Sequence, residues 1–211
     1  FEASIMRILH ILLLLSLTWA CTNQPSKPRL PYFKGPAMEP EWIIPGDDIN
    51  GFNRVQDYSL QDQNNHSFSG NEDTLHIRIA HFFKLPCQGP CPVLSRTMLD
   101  LQEHYGNDPE VQLLSFAYPE KDSTSTGWDN YLQRYKTRSG KWYVLRGTEE
   151  DMTGLIQAMP EMYSAGKEVI PSFENLYLLD KHGFIRGIYP MDNPTELENL
   201  YLDVNIQKKA H

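Results

Sequence analysis

The amino-acid sequence predicts an α/β protein, a three-layer sandwich with helices on both faces of a mixed central β-sheet. Apolar runs of strand length alternate with segments whose apolar residues recur at helical spacing, which is the pattern of such folds. The chain has 211 residues, 40% of them hydrophobic and 22% charged, as expected for one globular domain with a core of its own.

The predicted elements begin with a hairpin, residues 55–60 and 67–68, which is added on the N-terminal side of the sheet. Alternating strands and helices follow. A second hairpin, with the turn Asp180-Lys-His-Gly183, then precedes a final helix that Asn193 and Pro194 open. The predicted bounds are 75–83, 111–117, 142–145, 176–179 and 184–189 for the strands, and 93–105, 128–135, 152–156 and 195–208 for the helices.

Residues 1–20 are predicted to be an export signal. From Met6 a basic start leads into a short apolar run that ends at Leu17, and Ala20 precedes Cys21. The run is shorter than the roughly 20 apolar residues that a membrane-spanning helix requires. Ala20-Cys21 followed by a polar stretch resembles a bacterial lipoprotein signal, in which the cysteine is acylated. The alternative is that Cys21 only marks the end of an apolar leader.

Residues 21–48 are predicted to be a lipid-anchored tether, and residues 49–211 the folded domain. The tether contains six prolines with little periodicity, which favours an extended chain that ends in a docking segment around Trp42. These features predict a protein that is exported to the periplasmic side of a bacterial membrane and held there by its lipid.

The charge of the chain excludes one class of partner. The formal net charge is -8, whereas nucleic-acid binding depends on clustered Lys and Arg that release counterions from phosphates. We therefore expect no nucleic-acid partner.

Two of the three cysteines, Cys87 and Cys91, form a close pair between a predicted strand and a predicted helix. The pair thus follows the carboxyl end of a strand, which is where open α/β sheets have their binding and catalytic sites. Pro92 suits a first helical turn, so Cys91 is expected at the helix start, where unpaired N–H groups stabilise a thiolate. Such a pair can form a disulfide, reactive or merely structural, or hold one soft metal ion. A structural zinc site is disfavoured because it needs four ligands.

Four segments of the chain carry a resemblance to a known family: Cys87-Gln-Gly-Pro-Cys91-Pro92, residues 113–122, Ser139-Gly-Lys-Trp142 with Gly147, and Tyr177-Leu-Leu-Asp-Lys-His-Gly183. Together they resemble the Sco/SenC family, and the tether segment Leu30-Pro-Tyr-Phe-Lys-Gly35 resembles the lead-in of its lipoprotein members from Bacteroidetes-type bacteria. The likeness extends from about residue 57 to residue 189 and implies a thioredoxin-like fold. It also implies that Cys87 and Cys91 are the metal-binding, redox-active cysteines with which the family delivers copper or exchanges disulfides in cytochrome c oxidase assembly.

The resemblance implies a third metal ligand, a histidine, at the position that Ser172 occupies. A serine hydroxyl is a hard, weak donor for copper, so we expect Cu(I), which accepts two thiolates, rather than Cu(II). His81, Met159 and Met162 are the alternatives for a replacement ligand, although packed core side chains are the simpler interpretation of all three. The other histidines considered are predicted on the surface or in turns, namely His66, His76, His104 and His182.

Two functions remain open at this point, copper handling and general thiol-disulfide oxidoreductase activity. The expected partner is a cytochrome c oxidase subunit or another periplasmic copper or thiol protein, and loss of the histidine favours redox work or a weakened copper role. A third possibility is a degenerate accessory protein that binds no metal.

Replacing Cys21 by serine is expected to release the protein from the membrane, because serine at this position does not receive the acyl chains. A multiply acylated terminus anchors stably, whereas a single chain binds only marginally. Fractionation of cells that express the wild type and Cys21→Ser measures the difference, with Cys87→Ser as a control that stays bound. Equal membrane retention of wild type and Cys21→Ser would exclude the lipoprotein interpretation.

Overall fold

A computed structural model describes residues 29–44, 46–55, 58–70, 75–119, 125–159, 171–191 and 193–210. The predicted export signal, Cys21 and Met162 lie outside these ranges. Within them the strands are β1 (Tyr32–Lys34), β2 (Glu39–Glu41), β3 (Ser59–Gln61), β4 (Ser67–Ser69), β5 (Ile77–Lys84), β6 (Val111–Tyr118), β7 (Trp142–Arg146), β8 (Asn175–Leu179) and β9 (Ile185–Pro190). The helices are α1 (Cys91–His104), α2 (Ser125–Tyr135), α3 (Glu149–Ala158) and α4 (Pro194–Lys209). No helix in the described ranges is both long and apolar enough to cross a membrane.

Seven strands form one mixed sheet in the order β4-β3-β7-β6-β5-β8-β9. The three central strands β5, β6 and β7 are parallel, as strands joined by helical crossovers are. On both sides of these three, each outer strand is antiparallel to the strand that it pairs with next toward the centre. The mixed sheet is therefore confirmed, and the predicted hairpin of residues 55–68 forms its edge as β3 and β4.

Buried side chains form two clusters, one on each face of the sheet, because successive residues of a strand point to opposite faces. In β5, Ile79 and Phe83 belong to the cluster that packs against α1, α2 and α4. The intervening Phe82 belongs to the cluster that packs against α3. Helices thus cover both faces, which confirms the predicted three-layer sandwich.

The helix starts follow from local sequence. Thr148 and Asp151 form a capping box at α3, in which each side chain accepts a hydrogen bond from the other residue's backbone N–H. The side chain of Asn193 accepts the Thr195 N–H, and Pro194 occupies the first turn of α4. The predicted opening of the last helix is confirmed.

A separate two-stranded hairpin, β1–β2, lies in the segment that the sequence predicts as an extended tether. Arg186 of β9 binds the residues just before β1. Its guanidinium donates hydrogen bonds to the carbonyl oxygens of Leu30 and Pro31 at 2.7 and 2.8 Å. It also lies 3.6 Å from the centre of the Tyr32 ring. Trp42, by contrast, is 66% exposed. The sequence predicts a docking segment around Trp42. The contact with the domain is made instead at Leu30 and Tyr32.

Replacing Arg186 by glutamine is expected to loosen this hairpin and to lower the free energy of unfolding by about 2 kcal/mol, as for a buried polar partner left unpaired. Arg186 also forms an ion pair of 3.2 Å with Asp180, and both side chains are nearly buried. Urea unfolding measures the energy, and hydrogen exchange of the β1 amides reports on the hairpin.

Arg96 supplies the control for this substitution, since its ion pair with Asp100 is well exposed and is expected to contribute little. Equal effects of Arg186→Gln and Arg96→Gln would contradict the anchoring role of Arg186.

Candidate functional site

The connection between β5 and α1 holds both cysteines of the predicted pair. Cys87 and Cys91 are joined by a disulfide, and their Cα atoms lie 5.3 Å apart. Gly89 lies between them with a φ of 60°, a left-handed conformation that glycine adopts without steric cost. The tight loop that the spacing predicts is therefore present. The roles of the two residues as catalytic groups or metal ligands stay predictions.

The two sulfurs differ in their surroundings. Cys91 is the first residue of α1 and is followed by Pro92, as predicted, so its sulfur lies at the positive end of the helix dipole. It is only 5% exposed, whereas Cys87 is partly exposed. A partner thiolate therefore reaches Cys87 more readily, and a negative charge that forms on Cys91 is stabilised by the helix start.

Hydroxyl groups surround the disulfide on its buried side. Ser95, one turn along α1 from Cys91, places its Oγ 3.8 Å from Cys91 Sγ and 3.9 Å from Cys87 Sγ. The Tyr135 hydroxyl is 3.9 Å from Cys87 Sγ. The Tyr131 hydroxyl lies 2.9 Å from Ser95 Oγ. Sequence reasoning missed these three residues, although a serine one turn after Cys91 on the inward face of a helix was a usable signal.

His81 is fully buried in β5, with Nδ1 3.2 Å from the Phe82 carbonyl oxygen and Nε2 2.6 Å from Ser115 Oγ. Burial lowers the pKa of His81 to about 4, with a smaller opposing contribution from the Phe82 hydrogen bond. Both ring nitrogens are engaged in the core, so His81 is a packed histidine and not a replacement ligand. Met159 is also fully buried, in the cluster on the opposite face of the sheet from Cys91.

The segment that contains Ser172 borders the cysteine loop. A shallow pocket of about 290 Å³ beside Cys91 is lined by Phe83, Lys84, Gln88, Pro90, Phe173 and Glu174. Ser172 itself is buried, and its Oγ accepts the backbone N–H of Glu174 at 3.2 Å. The hydroxyl is thus used within its own turn.

The other histidines offer no cluster around the cysteines. Within the described ranges, no group of three or more His, Cys, Asp or Glu side chains is arranged to hold a metal ion. His104 is exposed as predicted, and His66 and His182, which were predicted in turns, are exposed as well. His76 was predicted on the surface but is half-buried just before β5.

Comparison with known proteins adds solved structures to these observations. No protein-family model matches the sequence, and no curated protein matches it. The chain is similar to a SCO1/SenC family lipoprotein from Bacillus anthracis, with 21% identity, 74% of this chain and 96% of that chain covered, and a TM-score of 0.60. It is similar to BsSco, a Sco family cytochrome c oxidase assembly protein with a disulfide switch, at 19% identity, 73% and 92% coverage and a TM-score of 0.59.

A copper-bound structure is also among the similar proteins. It is ScoI from Bradyrhizobium japonicum, at 15% identity, with 72% of this chain and 97% of that chain covered and a TM-score of 0.53. These likenesses show that the chain has the thioredoxin-like fold of Sco/SenC proteins, which is the fold that the four resembling segments imply.

Thiol labelling is expected to find two more free thiols after reduction than before it, because a reductant can reach the disulfide at Cys87. In full-length Cys21→Ser only Cys87 and Cys91 remain, so mass spectrometry of the alkylated protein counts them directly. The variant that also lacks both of these cysteines is the control and takes no label. Equal labelling with and without reductant would contradict a reversible disulfide.

Proposed function

We propose that this chain is a Sco/SenC protein, lipid-anchored at Cys21 on the periplasmic side of a bacterial membrane, that delivers copper or exchanges disulfides in cytochrome c oxidase assembly. The observation that carries the proposal is the disulfide between Cys87 and Cys91 at the β5–α1 connection of a Sco-like fold. The partner is then a cytochrome c oxidase subunit or another periplasmic copper or thiol protein.

The donor atoms at this site suit copper as Cu(I) and not as Cu(II). Once reduced, Cys87 and Cys91 supply two thiolates, and soft sulfur ligands favour Cu(I). The family's third ligand would stand at Ser172, whose hydroxyl is a hard donor already bonded to the Glu174 N–H. The residues therefore fit a Cu(I) ion held by two sulfurs, and they do not supply the imidazole that a family-type Cu(II) site includes.

The same pair supports disulfide exchange. A thiolate of a partner dithiol attacks the more exposed Cys87 sulfur, the bond between the two cysteines breaks, and Cys91 leaves as a thiolate at the helix start. The second partner thiol, as its thiolate, then attacks the mixed disulfide and releases Cys87. The partner ends as a disulfide, the two cysteines hold its two electrons, and the protons lost by the partner thiols return to the cysteine sulfurs or to solvent.

General thiol-disulfide oxidoreductase activity is the second candidate function. The observation that favours it is Ser172, because loss of the third ligand weakens copper binding without affecting the exchange of thiols. A degenerate accessory protein, with a fixed disulfide and no metal, is the remaining alternative.

Anaerobic titration of reduced full-length Cys21→Ser is expected to show one Cu(I) bound, and removal of Cys87 or Cys91 is expected to abolish it. Cu(II) is expected to bind weakly, and Ser172→His is expected to tighten it about tenfold or more, equivalent to about 1.4 kcal/mol. The added imidazole should also produce a thiolate-to-copper charge-transfer band and slow the loss of copper to a chelator.

Ser59→His serves as a matched control for this substitution, because Ser59 is an exposed serine of β3, and it should leave copper binding unchanged. Tight Cu(II) binding by the unsubstituted protein would contradict the assignment of Ser172. Absence of Cu(I) binding together with rapid exchange with glutathione would favour the oxidoreductase, and absence of both would favour the accessory protein.

A further inference from the structure

A broad groove lies between α4 and the segment that follows the β1–β2 hairpin. Its volume is about 1280 Å³, and apolar side chains from both elements line it, namely Ile43, Ile44, Ile49, Leu202 and Ile206. Ile44 and Leu202 are 70% and 62% exposed, and Trp42, two residues before Ile44, is 66% exposed. These are three of the five large apolar side chains that are exposed within the described ranges. Such a concentration is typical of a surface that binds an apolar partner.

The groove lies at the end of the sheet opposite the disulfide. Asp180 lines it, and the preceding Leu179 of β8 pairs with Arg78 near the amino end of β5. The last turn of α4 is held at the same end, because Lys208 forms an ion pair of 2.6 Å with Asp108, just before β6. The cysteine loop follows the carboxyl end of β5, whose eight residues span about 23 Å. Binding at the groove therefore leaves the disulfide accessible.

The groove is close in the chain to the predicted lipid anchor. Arg29 lines the groove and stands eight residues after Cys21. Even when fully extended, eight residues span at most about 29 Å. A lipid on Cys21 would therefore keep this side of the domain close to the bilayer surface.

The side chains of this surface match a membrane interface. Tryptophan favours the boundary between acyl chains and headgroups, because its ring is largely apolar and its indole N–H is polar. Arg29 and Lys209, which also line the groove, form no ion pair with any described residue and can bind headgroup phosphates. The exposed Asp47 and Asp48 lie in the same segment as Ile44, so the surface carries both signs of charge and suits zwitterionic headgroups.

We propose that this groove is a membrane-docking surface, which rests on the bilayer that holds the Cys21 lipid and inserts Trp42, Ile44 and Leu202 among zwitterionic headgroups. The inference rests on the lipid anchor of the proposed function and adds a second contact to it. The acyl chains hold the protein on the membrane, and the docked surface determines its orientation. The cysteine loop, at the other end of β5, then points away from the bilayer toward a partner's periplasmic domain.

Quenching of tryptophan emission by lipids tests the docking. The acylated wild type, extracted from cells that express the full chain, is reconstituted into phosphatidylcholine vesicles with or without bromine atoms on the acyl chains. Bromine quenches by contact, so Trp128 and Trp142, which are buried in the domain, should keep their emission. Trp42 is expected to lose emission in the brominated vesicles, and comparison with Trp42→Phe shows how much of the loss belongs to Trp42.

Ile44→Asp combined with Leu202→Asp is expected to abolish the quenching of Trp42, because a carboxylate at either position opposes insertion. Val93→Asp is the matched control, since Val93 is 58% exposed near the start of α1, at the disulfide end of the sheet. It should leave the quenching unchanged. Unchanged emission from the two buried tryptophans shows that each variant is folded.

Absence of Trp42 quenching in a wild type that floats with the vesicles would overturn the proposal, and so would undiminished quenching in the double variant. A groove closed by a second copy or by another protein would shield Trp42 from aqueous iodide without any bromine quenching, which also overturns it. Mass spectrometry of the Cys21 peptide measures acylation independently. A Cys21 without acyl chains would instead refute the lipid anchor of the proposed function, and this inference with it.

Discussion

The burial of β5 on both faces and both edges is the constraint from which the rest of the fold follows. β5 pairs with β6 along its whole length and with β8 over its first half, and seven of its eight residues are buried. A strand that is enclosed in this way cannot shift its register by one residue without exchanging its two buried faces. The chain that leaves its carboxyl end is therefore delivered to one place, and the cysteine loop begins there.

The sequence predicts the buried strands and the amphipathic helices that cover them. It does not predict the β1–β2 hairpin, which depends on polar contacts between residues far apart in the chain. β5 and β6 are continuous apolar runs, and α1 has a clear apolar periodicity, so both kinds of element leave a strong local signal. The β1–β2 hairpin has strands of three residues that include charged side chains, and it is held by Arg186 from far along the chain. Such a contact to backbone carbonyls has no counterpart in the local pattern.

At the site as well, features that follow from local sequence could be predicted, whereas contacts between distant parts of the chain could not. The spacing of Cys87 and Cys91 and the following Pro92 are sufficient to place the pair at a helix start. The partnership of Ser95 with Tyr131 depends on how α1 packs against α2, which spacing does not reveal. Since a disulfide has no thiolate to offer to a soft metal ion, the copper binding proposed above would require the reduced form of the pair.

The core beneath the disulfide contains more polar groups than the fold requires. Apolar side chains at His81 and Ser115 would fill the same positions of β5 and β6 without any need for hydrogen-bond partners, and such replacements are often neutral or stabilising. The groups present instead pair with one another: His81 Nδ1 with the Phe82 carbonyl oxygen, His81 Nε2 with Ser115 Oγ, and the Trp142 indole N–H with the same Oγ. The Phe82 carbonyl can only accept and the Trp142 indole N–H can only donate, so these two groups limit the roles that His81 and Ser115 take between them. Ser95 pairs separately with the Tyr131 hydroxyl, and its Oγ lies within 3.9 Å of both sulfurs, so a polar side chain also borders the disulfide on its buried side.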